Sequence, residues 1–112
     1  MDYPKHWIPD FEPPIDGFRT FLTQTFPEVV FEYYESYAIR HMYFDNAESM
    51  REKYFNLISA VEKSGAVPHK EGYRYDVDAK RYLRINVSTE QNGSCYQVTL
   101  FVGLEEQHDG RK

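Results

Sequence analysis

Residues 46–65 read NAESMREKYFNLISAVEKSG, and this stretch decides the fold, because its helical signals fix where helix ends and sheet begins. Met50, Tyr54, Leu57, Ile58 and Val61 recur at the spacing of one helix face, so they form a stripe that must be buried. Asp45 or Asn46 can cap the first turn, and Glu48 stands three residues after Asp45 as a capping-box partner. Lys63 suits the negative end of the dipole, and Gly65 can adopt the left-handed conformation that closes a helix. The helix is therefore expected over residues 46–64.

Downstream the period changes from helical to alternating. Tyr73, Tyr75 and Val77 alternate in a segment spanning 73–78, and Leu83, Ile85 and Val87 do so in 81–88. Asp78, Ala79 and Lys80 are few enough to form the turn between them. Gln91, Asn92 and Gly93 supply a second turn, which leads to a strand over 95–102 with Tyr96, Val98, Leu100 and Val102 on one face. The tail, residues 104–112, is polar from Glu105 onward and is expected to fray.

Upstream, residues 29–44 are rich in β-branched and aromatic side chains. Val29, Phe31, Tyr33, Tyr37, Ile39 and Tyr43 occupy odd positions. Sixteen residues are long for one strand, so a break is expected near Glu35 and Ser36, giving a hairpin or one strand with a bulge. Before it, Phe18, Phe21, Leu22 and Phe26 make an apolar stripe on a helix that Asp16 can cap and Pro27 stops. The first 14 residues hold Pro4, Pro9, Pro13 and Pro14 around Trp7, Ile8 and Phe11, the composition of an extended arm. The expectation is one α+β domain over 1–112, with an antiparallel sheet of four to five strands packed on one face by two helices.

Bulk properties narrow the function. The formal charge is −5, and residues 1–45 carry all of it, with eight acids against three bases. That balance argues against non-specific nucleic-acid binding and suits a partner protein with a basic surface. Aromatics make up 17% of the chain, with ten Tyr, more hydroxyls than a small core accepts, so some are expected at the surface. Cys95 is the single cysteine, which excludes an internal disulfide. No signal peptide or long apolar run is apparent, so the expected location is cytoplasmic, with no membrane partner.

No sequence motif names a reaction. His6, His41, His69 and His108 lack metal-ligand spacing, and no phosphate or dinucleotide fingerprint occurs, so neither metal nor cofactor is expected. His41 falls on the odd face with Glu35, beside Arg40, a set that could serve acid–base chemistry only if a bulge let the side chains converge. Alternation also assigns an outer sheet face bearing Arg74, Asp76, Tyr82, Arg84, Asn86, Gln97, Thr99 and Phe101. Arg74, Tyr82, Arg84 and Phe101 on that face are one candidate contact set, and Glu32, Tyr34 and Glu35 on the acidic segment are another. The leading expectation is a non-enzymatic protein-binding module, of the inhibitor or immunity type by analogy of composition. The alternatives are single-stranded nucleic-acid binding by the outer face and a small hydrolase that uses His41.

Overall fold

The computed structural model describes residues 14–77 and 80–106. The expected arm, up to residue 13, and the turn residues 78 and 79 lie outside that range, as do tail residues 107–112. The elements run α1 (Pro14–Thr25), β1 (Glu32–Tyr33), β2 (Tyr37–Phe44), α2 (Ala47–Lys63), β3 (Val67–His69), β4 (Gly72–Asp76), β5 (Arg81–Asn92) and β6 (Cys95–Glu106). They make an α+β fold in which one six-stranded antiparallel sheet has the order β1-β2-β6-β5-β4-β3.

Both expected helices form, with small shifts at their ends. α1 begins at Pro14, two residues before the expected Asp16 cap, so Pro14 is helical and not part of the arm. Proline fits a first helical position because its missing N–H would have no partner there. α2 is capped by Asn46, whose Oδ1 accepts from the Ser49 amide at 2.8 Å. With Asn46 as the cap, the third helical residue is Ser49, so Glu48 acts as first-turn charge and not as a capping-box partner. At the other end Gly65 takes φ +97°, as the helix stop requires.

The sheet is larger than expected because three features were read too short. β3 was missed altogether: it holds only Val67, Pro68 and His69, too few to show alternation. β5 runs on to Asn92 through Ser88, Thr89 and Glu90, whose polarity marks them as exposed but does not end the strand. β6 runs to Glu106, so Leu104, Glu105 and Glu106 are strand residues paired with β5 and not frayed tail.

One apolar cluster joins both helices to one sheet face. Phe18, Phe21, Leu22 and Phe26 meet Leu57 and Val61 of α2 over Leu83, Ile85, Val98, Leu100 and Val102, all buried. Fully burying such a side chain contributes about 1.5–3 kcal/mol. Tyr73, Tyr75, Val77 and Val87 pack at the margin of this cluster, on the face that alternation assigned to them.

The 29–44 segment is a hairpin, and its turn reverses the expected parity. Tyr33 pairs with Ala38 and Glu32 with Ile39, so odd positions on one arm lie opposite even positions on the other. Hence Val29, Phe31 and Tyr33 face the core together with Ala38, Met42 and Phe44. Tyr37, Ile39, His41 and Tyr43, expected beside the first group, lie on the opposite face. A bond from Tyr34 N to Tyr37 O, 2.8 Å, closes the turn. No glycine is needed there, since no residue of the turn takes a positive φ.

The cap assignment is testable. Asn46→Ala should destabilise the protein by about 1 kcal/mol, whereas Asp45→Ala should change stability far less. Urea unfolding of the two variants distinguishes them, and equal losses would place the cap elsewhere.

Candidate functional site

The parity reversal brings the two candidate sets together. Glu32 lies opposite Ile39, and Ile39 lies opposite Phe101, so the acidic strand and the arginine-bearing strands share the outer face. Across it, Tyr37, Gly103, Arg84 and Arg74 form one row, each paired with the next. Ile39, Phe101 and Asn86 form the row beside it.

A chain of stacked groups runs across these rows. Tyr34 stacks on Tyr37 with centroids 4.9 Å apart and planes 20° from parallel. Tyr37 stacks in turn on Phe101, at 5.3 Å and 28°. The Arg84 guanidinium lies over the Phe101 ring, 5.0 Å from its centroid, and Arg84 Nε donates to Glu105 Oε2 at 3.2 Å. Beside this chain, the Arg74 guanidinium sits 4.0 Å from the Tyr82 centroid, with Nε 2.8 Å from Asp76 Oδ1. His69 also meets this group edge-on, its ring centroid 5.9 Å from that of Tyr82. Each aromatic pair contributes about 0.5–1.5 kcal/mol, and each exposed guanidinium–ring contact about 0.5–1 kcal/mol.

Gly103 makes the central stack possible. The Phe101 ring lies back over its own strand, and a Cβ built on Gly103 would come within 2.9 Å of two of its ring carbons. The same Cβ would stand 3.7 Å from Tyr37 Cβ. The glycine thus leaves a seat between Tyr37 on one neighbouring strand and Arg84 on the other. A small residue flanked by aromatics on adjacent strands is a recurring device in sheets.

At the far end, Tyr34 donates from its hydroxyl to Glu32 Oε1 at 3.2 Å. The Glu32 carboxylate, by its charge first and by that hydrogen bond second, holds the Tyr34 phenol above its ordinary pKa. Tyr34 is 45% exposed and Glu32 is exposed beside it. Glu35 occupies the turn and is exposed.

His41 is placed differently from the expected acid–base set. Its Nδ1 lies 3.0 Å from Thr99 Oγ1 and 3.1 Å from Gln97 Nε2, a hydroxyl and an amide on the adjacent strand. His41 also borders a groove of about 410 Å³ with Glu28, Arg40 and Lys53. No hydrogen bond or ion pair links those side chains. Among the described residues no group of three metal-ligating side chains occurs. Nor is any helix among them long and apolar enough to cross a membrane.

Sequence reasoning placed Arg74, Tyr82, Arg84 and Phe101 on one face, and the structure does too. It missed Tyr37, Gly103 and Glu105. Tyr37 was lost to the parity of the turn, and Glu105 to its assignment to the tail. A glycine two residues after an outward-facing phenylalanine was the available signal for the seat.

Comparison with known proteins gives no further guide: no protein-family model, curated protein or solved structure matches this chain.

Two outcomes follow from this geometry. Gly103→Ala should unseat the Phe101 ring, lowering stability by about 1 kcal/mol. The ring-current shifts of Tyr37 and of the Arg84 side chain should collapse in the same variant, and unchanged shifts would show that the ring is seated otherwise. Glu32→Gln should lower the Tyr34 phenol pKa toward the ordinary tyrosine value. An NMR titration of ring-labelled tyrosine reads this, and a Tyr34 curve unmoved by the substitution would contradict the pairing.

Proposed function

We propose that this protein is a non-enzymatic binding module that engages a partner protein through the outer face of its sheet. The observation that carries the reading is the stacked chain Tyr34–Tyr37–Phe101–Arg84, which crosses three strands and the β1–β2 turn on the face opposite the helices. Tyrosine and arginine held rigidly by stacking lose little side-chain freedom on association, which is why such residues dominate contact energies. A core in which both helices cover one sheet face leaves these groups no part in the main apolar cluster.

Charge favours a protein over a nucleic acid. Arg74 and Arg84 each have a carboxylate partner, Asp76 and Glu105. Glu32 lies on the same face, and Glu90 lies opposite Gln97 there. Binding a phosphate backbone draws its affinity from protein cations that displace counterions from the phosphates, and here Arg74 and Arg84 are already engaged by carboxylates. A partner with a basic surface meets the acids, while its apolar groups meet the rings. The hydrolase reading has less support, because the groups hydrogen-bonded to His41 are an amide and a hydroxyl, neither of which is an acid or base near neutral pH.

The test is comparative capture from the native cell. Wild-type protein and Phe55→Ser, which alters an exposed position on α2, should retain the same partner. Arg84→Ala and Phe101→Ala, each verified as folded by circular dichroism, should bind it about tenfold or more weakly. A partner held equally by all four proteins would move the interface off the sheet. Tight, salt-sensitive binding of a single-stranded oligonucleotide by the wild type, lost in Arg84→Ala, would favour the nucleic-acid reading instead.

A further inference from the structure

The outer face repeats one local unit: an aromatic ring with a carboxylate beside it. Phe101 with Glu105 holds Arg84, whose guanidinium covers the ring at 5.0 Å and bonds the acid at 3.2 Å. Tyr82 with Asp76 holds Arg74 in the same manner, at 4.0 Å and 2.8 Å. Tyr34 with Glu32 is the third such pair, with the carboxylate fixed at the ring edge by the 3.2 Å bond from the phenol. One ring face of Tyr34 rests on Tyr37, and the residue is 45% exposed. Among the described residues, Arg84 and Arg74 serve the first two pairs, and the ion pairs and cation–ring contacts place no cation against the third.

We propose that Tyr34 and Glu32 form a subsite for an arginine side chain presented by a basic partner protein, and this rests on the sheet face being a protein-binding surface. The occupant follows from the two filled units, in which a planar guanidinium meets both demands at once: its face covers the ring and an edge N–H reaches the acid. Charge is complementary, since among the described residues no cation is paired with Glu32, and residues 1–45 hold the chain's entire excess of acid. The Tyr34 phenol, already raised by Glu32, reports the negative potential that an incoming cation would meet. The subsite also lies at the free end of the stack. A guanidinium bound there would close a series that begins at Arg84 and runs through Phe101, Tyr37 and Tyr34.

The measurement is an NMR titration of the full chain, ring-labelled at tyrosine, with acetyl-Gly-Arg-Gly-amide and with its citrulline counterpart. Citrulline keeps the planar shape and lacks the charge. The arginine peptide should shift the Tyr34 ring signals saturably, with the citrulline peptide about fivefold weaker. Glu32→Gln and Tyr34→Leu should each weaken the arginine response about fivefold, read in Tyr34→Leu through the Tyr37 ring. Equal response to the two peptides overturns the proposal, as does an arginine response unchanged in Glu32→Gln or confined to Tyr43. Partner capture separates this failure from failure of the wider reading. A partner lost in Arg84→Ala and Phe101→Ala yet kept in Glu32→Gln would sink the arginine subsite alone. Peptide binding at Tyr34 with a partner indifferent to the whole face would sink the wider reading, and with it the partner's role as the source of the arginine, while leaving the affinity of the Tyr34–Glu32 pair for a guanidinium established.

Discussion

The register of the β5–β6 hairpin is the constraint on which the rest of the structure depends. Twelve residues of Arg81–Asn92 pair with twelve of Cys95–Glu106, and every pairing sets which side of the sheet a residue faces. In this register Leu83, Ile85, Val98, Leu100 and Val102 turn to the helices and are fully buried. A slip of one residue would bring Arg84 and Asn86 into the core and expel Leu83 and Ile85. Burying an unpaired guanidinium costs several kcal/mol, so the apolar face and the stacked face are specified by the same choice. The outer chain of rings is thus a direct consequence of how the core is packed.

The turn at residues 34–36 is the second determinant. Because Tyr33 and Ala38 are paired, the hairpin sends Tyr37 outward while keeping Tyr33 inward. Tyr33 packs against the Phe31 ring at 6.2 Å, and burial raises its phenol pKa despite the opposing charge of Arg19. Four residues away, Tyr37 serves as the bridge between Tyr34 and Phe101. Two tyrosines close in sequence therefore have opposite places, one in the packed layer and one on the outer face. β2 then lies directly against β6, the strand that carries both Phe101 and Gly103.

Much of this was legible in the sequence wherever one period held over several residues. The α2 stripe and its stop at Gly65, the α1 stripe and the alternation in β4, β5 and β6 all had that property and stand in the structure, except that Ile58 of the α2 stripe lies outside the apolar cluster. Two features were not legible because they depend on tertiary pairing. The phase of alternation through residues 29–44 is set by how many residues the turn absorbs, which composition does not state. The seat over Gly103 depends on a ring lying along its own strand, a side-chain direction fixed by neighbours on two other strands. The polar ends of β5 and β6 were read as termini because polarity reports exposure, whereas strand length is set by the partner strand. For the same reason the candidate site appeared as two separate sets, and only the sheet order joined them.

If the stacked outer face binds a partner protein, as proposed, that partner covers it in the cell. Hydroxyl-radical footprinting of the purified chain and of the chain within its native cell measures this directly. Phe55, 58% exposed on α2, serves as an internal reference on the other side of the molecule. Tyr34 and Phe101 should react in the purified protein and be protected in the cell, while Phe55 reacts in both. Equal reactivity of Tyr34 and Phe101 in the two settings, or protection at Phe55 in their place, would contradict it.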